Sequence, residues 1–202
     1  MSDISARKRA EEQLVHDAFH DGLTALANRS LFLDRLGMAL TSLQRGRKGT
    51  FAVLFLDLDR FKTVNDSLGH SVGALLLVAL ARRLEKLMRP SDTVARLGGD
   101  EFAVLAFGVR EASDAVHIAK RVLLRLVEPF TIDGQEVHIT ASIGIALPEA
   151  AGASADGLLR DADLAMYRAK AAGPGRYEVF DLELHRASVQ LLKLETELRR
   201  GV

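Results

Sequence analysis

The sequence predicts an α+β fold, a central β-sheet covered by helices. Three observations carry this reading. Residues 51–58, Phe-Ala-Val-Leu-Phe-Leu-Asp-Leu, are a nearly continuous apolar run, the pattern of a strand buried on both faces. Two further β-favouring runs, Thr93-Val-Ala-Arg-Leu97 and Phe102-Ala-Val-Leu-Ala-Phe107, flank a Gly-Gly pair and read as a β-hairpin. Around them, several segments carry apolar residues at helical recurrence.

Taken in order, Leu31, Leu33, Leu36, Leu40 and Leu43 predict a helix over 30–45. The strand at 51–58 follows and runs into Asp57-Leu58-Asp59-Arg60-Phe61-Lys62, which sets carboxylates at its carboxyl end. Strand alternation directs Asp57 and Asp59 the same way. A second helix spans 71–88 on Leu75, Leu76, Val78, Leu80 and Leu84. The hairpin tip is Gly98-Gly99-Asp100-Glu101, where glycine permits tight geometry and close approach of a ligand. Helices over 111–127 and 154–171, with strands between and after them, complete the order. If the tip lies beside the strand end, Asp57 and Asp100 form a two-carboxylate Mg²⁺ site, with Lys62 offsetting phosphate charge. Spacing alone leaves a solvated turn and an ordinary acidic strand end equally open.

Five motifs in order carry a resemblance to a known family. They are Asp21-Gly-Leu-Thr24-Ala-Leu-Ala-Asn28-Arg29, then Asp57-Leu-Asp-Arg-Phe-Lys62-Thr-Val-Asn65-Asp-Ser-Leu-Gly69-His70, then Arg96-Leu-Gly98-Gly99-Asp100-Glu101-Phe102. Ile139-Thr-Ala-Ser142-Ile-Gly144-Ile-Ala and Ala165-Met-Tyr167-Arg-Ala-Lys170 follow. Together they resemble the GGDEF family, the diguanylate cyclases, over roughly residues 18–180. The resemblance sharpens the fold to a mixed sheet related to the nucleotidyl-cyclase and polymerase palm. It implies condensation of two GTP into cyclic di-GMP, with release of two pyrophosphates, by a homodimer with two Mg²⁺ (or Mn²⁺) per active site. The metal ligands it implies are Asp57, Asp100 and the Leu58 carbonyl. Asp100, Glu101 and Lys62 take the catalytic roles, with Asp100 the candidate general base. Phe61, Asn65, His70, Gly98, Gly99 and Lys170 fall on the substrate-binding positions, Asn65 and His70 on the guanine side. Arg89-Pro-Ser-Asp92 is by itself a common surface pair, but in this frame it resembles the inhibitory site that holds product cyclic di-GMP.

Two departures weigh on activity. Ala74 stands where the family usually has an acid that pairs with the guanine edge, and Pro174 where a basic residue often meets the triphosphate. Ala25 and Ala27 replace the usual Gly and Pro of the opening motif. A catalytically weak or inactive module that binds GTP or cyclic di-GMP and regulates a neighbouring EAL phosphodiesterase is therefore the competing expectation. A purely structural spacer leaves the acidic pair unexplained.

Composition bounds the rest. The 202 residues carry 27 basic and 27 acidic side chains, so bulk charge argues for neither nucleic acid nor membrane contact by this segment. There is no cysteine, which excludes disulfides and thiolate metal sites and fits a cytoplasmic setting, with membrane attachment left to a parent chain. His16 and His20 are four apart with no third ligand evident, and His117, His138 and His185 lack ligand spacing. Ser142 has no partner that suggests a nucleophile. The domain division is an N-terminal signalling helix or linker over 1–17, the GGDEF domain over 18–180, and a C-terminal helical linker over 181–202. The first resembles the segment leaving a PAS sensor. The last, with Leu184, Ala187, Leu191, Leu194 and Leu198 in a heptad-like stripe, resembles the lead-in to an EAL domain. The stripe fits a helix packed on its own domain as well as a partner interface. The whole reads as a fragment of a PAS–GGDEF–EAL signalling protein.

Overall fold

The structure, a computed structural model, describes residues 18–46, 50–148 and 153–182. The linker segments at 1–17 and 183–202, with the heptad-like stripe, lie outside the described residues.

The elements follow the apolar pattern closely. Helix α1 (Arg29–Gln44) is capped by Asn28, whose side chain accepts from the Leu31 N–H, and buries Phe32, Leu36 and Leu40. Strand β1 (Phe51–Leu58) is buried along almost its whole length. It is the middle of a five-stranded sheet of order β2-β3-β1-β6-β7. Strands β2 (Thr93–Gly98) and β3 (Glu101–Phe107) make the expected hairpin, β3 pairs antiparallel with β1, and β1 pairs antiparallel with β6 (Ala141–Ala146). Strand β7 (Tyr177–Val179) pairs parallel with β6, so the sheet is mixed. One face packs against α3 (His70–Leu87) and α4 (Ala112–Leu126), the other against α1 and α5 (Ala155–Ala172).

Two elements differ from the expectation. A short helix α2 (Phe61–Leu68) precedes α3 and is separated from it by Gly69, whose φ of 87° breaks the helical path. A separate two-stranded sheet of β4 (Phe130–Ile132) and β5 (Gln135–Val137) turns at Asp133-Gly134, both residues with positive φ.

Helix α5 lies directly on β6. A Cβ at Gly144 would stand 1.9 Å from the Ala162 carbonyl and 2.2 Å from the Met166 nitrogen, so only glycine admits the helix backbone here. That depth fixes where the last turn of α5, with Lys170, meets the end of β1.

The opening motif forms a tight turn that docks on edge strand β2. Asp21 accepts from the Thr24 N–H and hydroxyl, and the Arg96 N–H donates to the Ala27 carbonyl. Ala25 sits in this turn at φ 60°, a left-handed conformation that costs a residue bearing Cβ about 1–2 kcal/mol. Glycine relieves that cost but gains entropy in the unfolded chain. Ala25→Gly is therefore expected to stabilise the domain by about 0.5–1 kcal/mol, a rise in Tm of about 1–4 °C by thermal denaturation.

Candidate active site

The carboxyl end of β1 and the hairpin tip meet. Asp57 and Glu101 are direct cross-strand partners, so their side chains leave the sheet on one face. The Leu58 N–H donates to the Asp100 carbonyl at 3.4 Å, which sets the tip beside the strand end. Gly98 and Gly99 both have positive φ, and a Cβ on either would meet nothing within 4 Å, so both present open backbone. Arg96 holds this tip: its Nε and Nη2 donate to the Gly99 carbonyl at 3.0 and 2.7 Å, while Nη1 pairs with Asp21 at 3.0 Å. Burial would raise the Asp21 carboxyl, but its bonds from Thr24 and Arg96 outweigh that and keep it below the usual carboxylate range.

Lys170, 113 residues along the chain from Asp57, donates to the Asp57 carboxylate at 2.5 Å. Burial pushes the Asp57 carboxyl above the usual range, Asp100 and Asp59 push it further, and the Lys170 ammonium opposes them. Burial opposes the charge on Lys170, but the hydrogen bond to Asp57 and the carboxylate charges of Asp57, Asp100 and Asp59 together outweigh it and hold the ammonium above its ordinary value. Glu101 is likewise pushed up by burial, then by Asp163, Asp57 and Asp100, with Arg29 opposing. Asp163, from α5, is raised by its own burial. Arg29, Glu101 and Asp163 line one cleft of about 610 Å³ on this face. Arg29 closes the opening motif but takes no site role from it, and Asp163 stands out in no motif, being an ordinary helical charge in the sequence.

Asp59 is not the companion of Asp57 that strand alternation suggests. The chain leaves β geometry after Leu58, and Arg60 turns it at φ 58°. The Asp59 carboxylate is buried and accepts from the Thr140 hydroxyl (2.7 Å), the Ser142 hydroxyl (2.7 Å) and the Gly175 N–H (2.8 Å). It ties the turn after β1 to β6 and to the loop after α5, and gives Ser142 its structural role.

The other positions that the sequence singles out divide into four groups. Lys62 is exposed on the first turn of α2. Asn65 and His70 flank the Gly69 elbow, with Phe61 buried beneath as core. Arg89 and Asp92 lie at the opposite end of the β2–β3 hairpin from Asp100. There Asp92 accepts from the Arg89 N–H (2.9 Å) and the Phe107 N–H (3.0 Å), and both residues line a groove of about 350 Å³ with Arg35 and Glu85. Pro174 is exposed in the loop that Gly175 anchors to Asp59, and Arg176 folds back beside Gly173.

Among the described residues no three His, Cys, Asp or Glu side chains form an all-protein metal cage. A hard cation that uses one or two carboxylates, a carbonyl and ligand phosphates needs none. The donor set of Asp57, Asp100 and the Leu58 carbonyl is all oxygen and fits Mg²⁺ or Mn²⁺. Burial of the Asp57 carboxylate, with the charges of Asp100 and Asp59 beside it, is the electrostatic condition that such an ion would relieve.

The domain is thus an α+β fold, a mixed sheet flanked by helices, with Asp57, Asp100, Glu101 and Lys170 gathered at one strand end. Residues 18–176 match the family model described as diguanylate cyclase, GGDEF domain, and the chain belongs to the GGDEF family. It is 44% identical over 194 residues to the bifunctional diguanylate cyclase/cyclic di-GMP phosphodiesterase MucR of Pseudomonas aeruginosa, covering 96% of this chain and 28% of MucR. It is 46% identical over 171 residues to diguanylate cyclase TpbB of the same species, covering 84% of this chain and 39% of TpbB. The chain thus spans well under half the length of these relatives. The solved GGDEF domain of TpbB superposes with a TM-score of 0.78 at 43% identity, over 83% of this chain and 98% of that one. The coiled coil and GGDEF domain of DgcB from Caulobacter crescentus, solved with cyclic di-GMP, superposes at 0.79 with 28% identity, over 88% and 94%. Among the described residues no helix is long and apolar enough to cross a membrane.

Proposed function

We propose that this domain is a diguanylate cyclase that joins two GTP into cyclic di-GMP, one GTP per protomer of a homodimer. The observation that carries the reading is the convergence of Asp57, Asp100, Glu101 and Lys170 at one strand end. The 3′-hydroxyl of each GTP attacks the α-phosphorus of the other. Each attack forms a ribose–phosphate bond and breaks the bond to pyrophosphate, the leaving group. Bound Mg²⁺ or Mn²⁺, two per site, would lower the cost of the attacking and leaving oxygens' charge. Asp57, Asp100 and the Leu58 carbonyl hold the ions, and Asp100 accepts the hydroxyl proton. Lys170 exchanges its carboxylate partner for phosphate, Lys62 adds a second cation, and the open backbone at Gly98 and Gly99 lets the nucleotide approach. Arg89 and Asp92 hold product at the far end of the hairpin, where Asp92 is already fixed by two backbone N–H groups. Cyclic di-GMP in the DgcB complex and the diguanylate cyclase name of TpbB support this reading.

Two observations favour a second reading. Ala74, on the first turn of α3, offers no acid to the base, and the relative MucR joins both activities in one chain. In that reading the domain binds GTP or cyclic di-GMP and tunes a neighbouring EAL phosphodiesterase, with a PAS-like segment preceding it, in the cytoplasm. The test is chromatography of products from GTP and Mg²⁺ at high protein concentration, repeated on a forced dimer. Cyclic di-GMP supports the cyclase; bound GTP without product from either sample supports the module. Ala74→Asp restores a charge-assisted bond worth about 1.5–3 kcal/mol, so GTP affinity is expected to rise about tenfold or more by calorimetric titration.

A further inference from the structure

Asn65, in α2, and Gly73, in the first turn of α3, face each other across the Gly69 elbow. The Gly69 N–H donates to the Asn65 carbonyl at 2.9 Å, and the Gly73 N–H donates to the Gly69 carbonyl at 3.2 Å, so both turns pivot on one residue. Gly73 is buried at this crossing. A Cβ there would stand 1.9 Å from Asn65 Oδ1 and 3.3 Å from the Phe61 ring. The Asn65 carboxamide thus fills the volume that any other residue at position 73 would claim. Phe61, buried in the core, lies against the same spot. Among the described residues no hydrogen bond holds the carboxamide: its oxygen packs on Gly73, and its amino group has no protein acceptor.

Glycine has a cost here. Within a helix it is about 1 kcal/mol less favourable than alanine. No positive φ requires it, since Gly73 is helical. What it supplies is space, and the space is taken by the end of the Asn65 side chain.

We infer that Gly73 is a specificity-positioning residue: its missing side chain seats the Asn65 carboxamide as the edge that reads the purine of the bound nucleotide. This rests on the proposed role of Asn65 on the guanine side of the site. With Ala74 unable to bond the base, Asn65 carries a larger share of the choice between guanine and adenine. A carboxamide offers a donor and an acceptor side by side, and a site that loses such a pair loses discrimination more than general affinity.

The test is titration with GTP and with ATP, each with Mg²⁺, of the wild type, Gly73→Ala, Asn65→Ala and the double variant. Gly73→Ala is expected to keep or raise Tm, because the blocking atom is the end of a side chain that can rotate away. Its GTP affinity is expected to fall about tenfold with ATP affinity unchanged, as in Asn65→Ala. The double variant is expected to lose no more than either single one. A Gly73→Ala protein that prefers GTP as the wild type does, while Asn65→Ala does not, overturns the inference. If Gly73→Ala fails to fold, the double variant, where the contested space is empty, must recover native Tm, and its failure also overturns it. An Asn65→Ala protein with unchanged GTP affinity removes the base-reading role, and cyclic di-GMP from that protein would show that the cyclase reading survives.

Discussion

Asp100→Ala is expected to abolish cyclic di-GMP formation, by about a thousandfold or more, while leaving the domain folded. The two halves of this expectation have separate physical grounds. Asp100 stands at the end of a hairpin whose geometry is set by backbone and by Arg96, which grips the Gly99 carbonyl with two N–H groups and Asp21 with a third. Removing the Asp100 carboxylate touches none of these bonds. It also removes one of the charges that push Asp57 upward, so Tm is expected to hold or rise slightly without metal. The chemistry, by contrast, loses a proposed ligand and the proposed proton acceptor at once. Product read by chromatography, with Tm and Mg²⁺-dependent GTP binding measured on the same sample, checks each half. Full turnover in this variant would remove the two-carboxylate mechanism. A silent but folded variant beside an active wild type would establish it.

Much of this arrangement is legible in the sequence because it rests on long patterns. The run at 51–58 and the leucine recurrences over 30–45 and 71–88 locate β1, α1 and α3 to within a residue at each end. The hairpin follows from Gly98-Gly99 between two β-favouring runs. Shorter devices escape such patterns. Helix α2 has only eight residues, and its separation from α3 depends on one glycine in an unusual conformation. The β4–β5 turn did have a signal, the Asp133-Gly134 dipeptide, which favours positive φ at both positions. Alternation misplaces Asp59 because the strand stops at Leu58, and periodicity carries no information past the end of an element.

Within the site, the motifs name Asp57, Asp100, Glu101 and Lys170 without saying how they meet. The Lys170–Asp57 pair spans 113 residues and exists because Gly144 lets α5 sit on the sheet backbone. A glycine whose role is the absence of atoms gives no positive sign in one sequence. The same holds for Gly73. Arg29 and Asp163 reach the Glu101 cleft from two helices that pack on one face of the sheet, a juxtaposition only the tertiary fold creates.

Asp59→Ala is expected to cost the fold more than any substitution in the acidic site, about 3–5 kcal/mol, a fall in Tm of about 6–20 °C. Asp59 is 7% exposed, and its carboxylate accepts three hydrogen bonds from two segments that are distant in sequence, Thr140 and Ser142 on one and Gly175 on the other. Bonds to a charged acceptor contribute about 1.5–3 kcal/mol each, and losing the acceptor leaves the fully buried Ser142 hydroxyl without its partner. Alanine also opens a gap between the turn after β1 and the loop holding Gly173 and Gly175. Asp59→Asn separates these effects, because it keeps the volume and one carbonyl oxygen. Its NH₂ group opposes either the Ser142 hydroxyl alone or the Thr140 hydroxyl together with the Gly175 N–H. A hydroxyl can turn to accept, whereas the Gly175 N–H cannot. Asn is therefore expected to place its oxygen toward Gly175 and to lose about half as much stability as Ala. Denaturant unfolding of the three proteins measures the order directly. Equal stability of wild type and Asp59→Ala would show that Asp59 does not pin the turn. The pin has a functional consequence as well, since the turn sets Phe61 and Lys62 at the start of α2 one residue after Arg60. A milder Asp59→Asn variant that still folds should then weaken nucleotide binding at 25 °C, even though its carboxamide faces away from the nucleotide and into the protein.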